Sequence, residues 1–444
     1  MSLIKVIYLK SPVWIQNIMC SLQGWIIQKR RYSKSFFEEL RRYEGFYYKP
    51  EKCLRGFLED IKEVPYYKSL FEKLEINIYA VDIHEELTKV PIINREEIIN
   101  NYDQIINKAY RGKTIQLGSS GTTGTALVFP CSIERERKQW AIWWRYRRRL
   151  GLDFGMWCGW FGGKVVVPID NKKAPFWRIN YPGKQLMFSA FHMNSVTIKF
   201  YYDEIVKRNL KWLHGHAHNI TYLSSLILEQ KLQPIECVEI ITTGADSLFD
   251  WQKQIIKEAF NHSQVYQHYG LSEGVANISE TKEGNLEVDE DFGYVEFIPL
   301  DETDPSLCRI IATGFSNQPF PFVRYDTGDL ATIGYNNGRT IIKQIDGRVV
   351  DCIKLPDGRR ISSTSMTNFE FTTKVKEVQF YQKDLYNIYV RLVRRDGYDQ
   401  EEEQKVIKSV RERLPDDVNV HIEYVESVER TKTGKIRYIL SDIK

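Results

Sequence analysis

The sequence predicts an α/β protein: a large N-terminal body with doubly wound sheets and a β-rich subdomain, plus a small, mobile α+β C-terminal domain. Three observations predict it. From Gly112, strand-like runs (TIQLG, ALVFP, KVVVP, WLHGH, VEIITTG, SQVYQHYG) alternate with helix-like ones such as NITYLSSLILEQ and SLFDWQKQIIKEAF, the pattern of a largely parallel sheet joined by helices. Residues 286–345 read as strand after strand. Past a linker near Asp346–Asp351, strands (VKEVQFYQ, LYNIYVRLVRR, VNVHIEYV) resume around the helix-like run QEEEQKVIKSVRERL. The expected domains are therefore 1–346 and 347–444.

Residues 1–31 are apolar in patches broken by Lys10, Pro12 and Gln16, which suits an amphipathic helix and neither a cleaved leader nor a spanning segment. Packing on the body and docking to a membrane surface both fit this stretch, the second because Trp14, Ile18 and Trp25 are placed to face lipid. Residues 34–75 carry Phe, Leu and Tyr at helical spacing, so 1–110 reads as a mostly helical entry. In EELTKVPIINREEIIN an extended piece precedes a helix capped by Asn94. The 444 residues are 43% hydrophobic and 27% charged, a globular composition. A net charge of +4 excludes a protein that coats polyanions by charge alone. Seven cysteines with no CxxC spacing exclude a zinc ribbon and a dithiol, and a cytoplasmic protein is expected.

Chemistry concentrates in five segments. Leu117-Gly118-Ser119-Ser120-Gly121-Thr122-Thr123-Gly124-Thr125 sets hydroxyls and glycines in a turn between strand-like runs. Such glycines let backbone N–H groups close on a phosphate, and the hydroxyls add donors. The lysine of a Walker loop is missing, and a turn without function is the plain alternative. In His268-Tyr269-Gly270-Leu271-Ser272-Glu273 a strand delivers a carboxylate of the kind Mg²⁺ takes beside substrate phosphates, while Tyr269 offers its ring to a purine. PFPFVRYDTGDL places Asp329 after Gly328 at a tight turn, where a carboxylate accepts two ribose hydroxyls. Asp346–Lys354 leads into the small domain, and ERTKTGKIR sets Lys435 beside Gly434.

In this order and at these separations, the five segments resemble the adenylate-forming acyl-ligase superfamily of acyl-CoA synthetases, luciferases and peptide-synthetase adenylation domains. SSGTTG resembles its phosphate loop, YGLSE and RYDTGD its adenine and ribose motifs, DGRVVDCIK its hinge and RTKTGK the loop of its catalytic lysine. The PxxRYDxGD form, with FGGKVVVP and QLMFSAFHM upstream, is closest to the phenylacetate–CoA ligase branch and its capsular-polysaccharide biosynthesis proteins. The resemblance implies ATP-dependent activation of a carboxylic acid as an acyl-adenylate, then acyl transfer to coenzyme A. A sugar amine or a carrier protein is the alternative acceptor, and a nucleotide binder without catalysis is the remaining reading. It also implies roles. Ser119, Ser120, Gly121, Thr122, Thr123 and Gly124 would hold phosphates, and Glu273 the Mg²⁺. Tyr269, Gly270 and Ser272, with Gly244 and Ala245 of IITTGADSL, would hold adenine. Asp329 would take the ribose and Arg348 the ribose or a phosphate. Lys435 would stabilise charge in adenylation and leave when the small domain rotates. Two departures stand out: Thr125-Ala126-Leu127 replaces the Pro-Lys that often continues the phosphate loop, and the hinge acid is Asp351 where relatives place it at Val350.

Two further features carry a plain reading beside a functional one. His214, His216 and His218 alternate, so on a strand they share a face suited to metal; the resemblance instead puts His216 and His218 beside the acyl pocket. The helix-like Arg135–Arg149 interleaves Arg and Trp as single-strand binders do. No recognition motif accompanies it, so it reads as a helix with an aromatic core face and a solvated basic face, with no nucleic acid as partner.

Overall fold

The structure, a computed structural model, describes residues 3–119, 127–300, 304–336, 339–348, 352–357, 360–362, 366, 374–430 and 436–443. Helices come first: α1 (Leu3–Lys10), α2 (Val13–Arg31), α3 (Lys34–Glu44), α4 (Pro50–Ile61), α5 (Pro65–Lys73), α6 (Ile83–Thr88), α7 (Arg95–Asn100) and α8 (Tyr102–Ile105). Strands and helices then alternate: β1 (Thr114–Ser119), β2 (Leu127–Ser132), α9 (Ile133–Arg149), β3 (Cys158–Phe161), β4 (Trp177–Asn180), β5 (Gln185–Phe188), α10 (Ile198–Lys207), β6 (Trp212–Gly215), α11 (Ala217–Glu229), β7 (Ile240–Gly244), α12 (Asp250–Ala259) and β8 (Gln264–Gly270). A run of strands follows: β9 (Asn277–Glu280), β10 (Leu286–Val288), β11 (Gly293–Pro299), β12 (Leu307–Gly314), β13 (Tyr325–Asn336) and β14 (Arg339–Arg348). The tail holds β15 (Cys352–Lys354), β16 (Arg360–Ser362), β17 (Val375–Asp384), β18 (Asn387–Arg394), α13 (Gln400–Arg411), β19 (Asn419–Tyr424) and β20 (Ile439–Ser441).

Local chemistry explains most boundaries. Asn94 accepts from the Glu97 amide, and the Glu97 carboxylate accepts from the Asn94 amide, so a capping box starts α7 where the sequence predicts it. The EELT piece, expected to be extended, is helical instead. Asp82 accepts from the amides of His84 and Glu85 and starts α6 ahead of it. KVVVP, expected as a strand, forms none. Val166 and Val167 are buried, but the Val166 carbonyl accepts from the Tyr8 phenol at 2.6 Å rather than from a neighbouring strand.

Chain contacts divide the molecule into two compact units, and the division falls inside α2, β8 and β14. The first unit comprises residues 1–27, 154–267 and 346–444. Its main sheet runs β4-β5-β3-β6-β7-β8, with β5, β3, β6 and β7 parallel and β4 antiparallel at the edge. The helices α10, α11 and α12 are the crossovers between its strands; the alternation predicts α11 and α12, and α10 is found only in the structure. Its core gathers Phe161, Leu186, Phe188, Ile220, Leu223 and Ile241. In the tail, β19-β18-β17-β20 form a mixed sheet, antiparallel only between β17 and β18. The tail's core includes Val378, Phe380, Val406 and Tyr438, and Phe249, Trp251 and Ile255 from the α12 region complete it.

The second unit comprises residues 28–153 and 268–345. Its large sheet runs β11-β12-β13-β14-β10-β9-β8, and its recorded registers are antiparallel, which suits the strand-after-strand sequence. The hairpin β1–β2 is a separate small sheet. Leu54, Phe57, Leu58 and Ile61 of α4 pack with Phe129, Phe320 and Phe322 in its core.

Candidate active site

In the second unit, β8 delivers Tyr269 and β13 delivers Asp329, and the Tyr269 hydroxyl donates to Asp329 Oδ2 at 2.9 Å. Burial, and then the Asp329 carboxylate, push the Tyr269 phenol well above its usual pKa, so it stays a donor. Asp329 is positioned by its own turn. Gly328 takes φ +72°, and its amide donates to Asp326 Oδ1 at 2.9 Å. The Asp329 amide donates to the Thr327 hydroxyl at 3.1 Å. Arg309 holds Asp326 from the next strand at 3.1 Å.

The segment after Tyr269 is pinned from α9. Arg135 Nη2 donates to the Ser272 carbonyl at 2.7 Å and Gln139 Nε2 to the Leu271 carbonyl at 3.2 Å. Gly274 lies against that guanidinium with φ +65°; a Cβ there would sit 1.8 Å from Arg135 Nη2. Gly270 is the last residue of β8 and Ser272 is exposed. Glu273 is only 5% exposed and forms no salt bridge with a described Lys or Arg, unlike the buried Asp289 and Asp291. Its carboxylate oxygens, with no cation bound to them among the described residues, fit a hard divalent ion.

A buried polar network supports β8. His268 Nε2 donates to Asn277 Oδ1 at 2.7 Å, and Trp143 Nε1 donates to the same oxygen at 2.9 Å. Asn277 Nδ2 and the Ser279 hydroxyl donate to Asp289 Oδ2 at 2.5 and 2.7 Å. Arg145 closes the network on Asp289 and Asp291 at 2.6 and 2.5 Å. Burial pushes His268 down to about 4, so the imidazole is neutral at pH 7. The solvated basic face expected for α9 is therefore corrected: Arg135, Arg145 and Arg147 are buried, and Arg145 neutralises two interior carboxylates.

In the first unit, the parallel strands β3, β6 and β7 end together at Phe161, Gly215 and Gly244, the end at which open α/β sheets bind ligands. Gly215 must be small: a Cβ would lie 2.6 Å from the Phe161 carbonyl oxygen. Directly after β7, Ala245 is held at φ +72°, costly for a residue with a Cβ. The three histidines do not share a strand face, because β6 stops at Gly215. His214 is on the strand, His216 is the N-cap of α11 and His218 lies in its first turn. The Asp246 carboxylate accepts from the Ala217 and His218 amides at 3.3 and 3.2 Å, and from His218 Nδ1 at 2.7 Å. His216, His218 and Asp246 each bring one ligand atom within 4.8 Å of the others.

His218 also lines a cleft with Tyr222, Trp251, Gln252, Lys376, Arg430, Ile436 and Tyr438. Arg430 and Ile436, which flank residues 431–435, pair as an antiparallel bridge. Gln379 ties this neck from below, donating to the carbonyls of Glu429 and Arg437 at 3.1 and 2.8 Å. Lys435 lies outside the described residues, as do Ser120, Gly121, Thr122, Thr123 and Gly124, the hinge positions Val350 and Asp351, and the side chain of Ser119. Arg348 ends β14. A cavity of about 980 Å³ in the second unit, lined by His84, Tyr294 and Phe297 among others, includes none of the sequence-predicted site residues.

Sequence reading brings together Tyr269 and Asp329 within one unit, and Gly244 and Ala245 with His216 and His218 within the other. It misses Asp246, Arg135, Asn277 and the Arg145 network. The signal available for Asp246 was its place directly after Gly244-Ala245; the others act on groups distant in sequence.

The comparisons agree with this architecture. The CapK C-terminal domain family matches residues 353–442. Protein CapK of Staphylococcus aureus is 30% identical over 451 residues, covering 99% of this chain and 99% of that one. Among solved structures, 2-hydroxyisobutyryl-CoA ligase in the postadenylation state superposes with a TM-score of 0.66 at 14% identity, over 89% of each chain. Anthranilate CoA ligase superposes with a TM-score of 0.51 at 13% identity, over 88% of this chain and 79% of that one. The ladder of α/β crossovers, the antiparallel sheet and the matched tail thus have the fold of adenylate-forming acyl-CoA ligases, and the chain belongs to the CapK family.

Proposed function

We propose that this protein is a ligase that activates a carboxylic acid with ATP and then passes the acyl group to coenzyme A, within surface-polysaccharide biosynthesis in the cytoplasm. The observation that carries the reading is the Tyr269–Asp329 hydrogen bond, which joins two of the five motifs in a chain with this fold. A substrate carboxylate oxygen attacks the α-phosphorus of ATP, and the bond to pyrophosphate breaks. The substrate is the nucleophile, so the protein's contribution is positioning and charge stabilisation. Asp329 accepts the ribose hydroxyls, with Tyr269 fixing one carboxylate oxygen and presenting its ring to adenine. Gly244 and Ala245 pass backbone beside the purine, and Gly270 and Ser272 contribute to nucleotide binding. Ser119 to Gly124 hold the phosphates, and Arg348 supports ribose or phosphate. Glu273 holds Mg²⁺, which when bound offsets phosphate charge. Lys435 stabilises the charge that builds at phosphorus, and His216 and His218 border the acid. In the second step the thiol sulfur attacks the acyl carbonyl, loses its proton, and AMP leaves. A small-domain rotation about residues 347–351 would first withdraw Lys435. The phenylacetate–CoA ligase branch is the expected affiliation of this chemistry.

The test is acid-dependent ATP–pyrophosphate exchange over aryl, fatty, hydroxy and amino acids. Exchange should appear with at least one acid, stop without Mg²⁺, and need more Mg²⁺ in Glu273→Gln. Lys435→Ala should slow it by about 10²–10³, the usual loss of one transition-state stabiliser, while Lys432→Ala stays near wild type. Given synthetic acyl-adenylate and the thiol, Lys435→Ala should transfer normally. Normal ATP binding with no exchange for any acid would sink the catalytic reading.

A further inference from the structure

The N-terminal helices turn their polarity inside out. Along α2, the polar side chains face the protein: Gln16 accepts from Arg178, Asn17 Oδ1 accepts from the Ile179 amide at 2.9 Å, and Ser21 donates to the Ile179 carbonyl at 3.2 Å. Gly24 is buried against Asn180. The apolar side chains face out. Trp14 is 63% exposed, Ile18 57%, Leu22 56%, Trp25 46% and Ile26 52%. At about 100° per residue these five fall within an arc of roughly 120°, one continuous stripe. A helix that packs on a globular body shows the reverse arrangement, so burial in this protein does not account for the stripe. Ile4 and Ile7 of α1 are exposed as well, and so is Tyr181, whose amide donates to Ser21.

Charge selects what covers the stripe. The first 37 residues hold Lys5, Lys10, Lys29, Arg30, Arg31 and Lys34, and no Asp or Glu. Lys10 ends α1, and Lys29, Arg30 and Arg31 form the last turn of α2. Arg30 and Arg31 are partly engaged by Glu136, whereas Lys10, Lys29 and Lys34 are exposed. Apolar surface with Trp and Tyr, on helices that carry cations and no acid of their own, matches the boundary of an anionic bilayer, where aromatic rings sit at headgroup depth and cations meet lipid phosphates. The described residues contain no helix long and apolar enough to cross a membrane.

We propose that the outer face of α1 and α2 docks the protein on the surface of anionic lipid membranes, lying in the interface without crossing it. The proposal is independent of the ligase reading.

The test is flotation of the full chain with vesicles of phosphatidylcholine alone and of phosphatidylcholine with phosphatidylglycerol, together with tryptophan emission. The wild type should float with the anionic vesicles, shift its emission to the blue and release in high salt. Trp14→Gln/Ile18→Gln/Trp25→Gln, checked for an unchanged melting temperature, should lose about tenfold or more in vesicle affinity, since each change removes a large apolar side chain from the bilayer. Lys10→Glu should lose affinity for anionic vesicles selectively. No flotation of the wild type would overturn the proposal, as would equal flotation of the triple variant. A lipid-independent dimer that the triple variant abolishes would overturn it in favour of a second copy on this face.

Discussion

Tyr269 and Asp329 divide one task. The phenol is held protonated by burial and by the carboxylate, so it fixes Asp329 Oδ2 at any working pH, and Asp329 is the carboxylate proposed to meet the ribose hydroxyls. Removing the carboxylate and removing its support should differ in size. Charge-assisted hydrogen bonds contribute about 1.5–3 kcal/mol each, so Asp329→Ala should weaken ATP by about 10² or more. The Tyr269 bond supports the carboxylate without touching ATP, so Tyr269→Phe should weaken ATP less, roughly fivefold, or about 1 kcal/mol. Calorimetric titration of ATP and of the free acid checks both; losses that fall equally on the acid would point to misfolding instead. Asp329 was legible as a candidate because it follows Gly328 in the RYDTGD segment. Its dependence on Tyr269 was not, because period and spacing carry no information about which strands become neighbours.

The elements show where sequence pattern succeeds and where it stops. The crossovers α11 and α12 follow from long amphipathic runs between short apolar ones, whereas α10 was not read from the sequence. The failures share a cause: KVVVP, EELT and the three histidines are short, and one side chain, Tyr8, Asp82 or Asp246, decided each. The polarity of α9 misled for another reason. Arg145 looked solvated because the acids that hold it, Asp289 and Asp291, come from a loop far along the chain. That network makes β8 sensitive to acid. The unfolded histidine titrates near 6.5, whereas His268 in place titrates at about 4. A base with a depressed native pKa stabilises the fold above the unfolded value and loses that contribution as pH falls toward 4. The loss is at most on the order of 3 kcal/mol. Urea unfolding at pH 7 and at pH 4.5 should show the drop. His268→Gln, which keeps an N–H donor for Asn277 but does not titrate, should show a smaller one. An equal drop in both would assign the acid sensitivity to other groups.

At the scale of the molecule, the tail packs on Phe249, Trp251 and Ile255, and Gln252 Nε2 donates to the Tyr438 hydroxyl at 3.0 Å. The proposed rotation of residues 347–444 between half-reactions therefore has to part an apolar contact. Trp251→Ala should favour the parted arrangement: exchange should fall, and acyl transfer from synthetic adenylate should hold or rise. Stopped-flow measurement of the two steps separates them, and a matching fall in both would argue against the rotation. The tail has one more property of consequence. A single buried glutamine, Gln379, fastens both ends of the segment that contains Lys435. Glu429 and Arg437 are thus a fixed knot, so a change in the length of chain between them need not unravel the sheet beneath. A protein engineer can therefore graft a foreign span between these two anchors and expect the sheet beneath to keep its register.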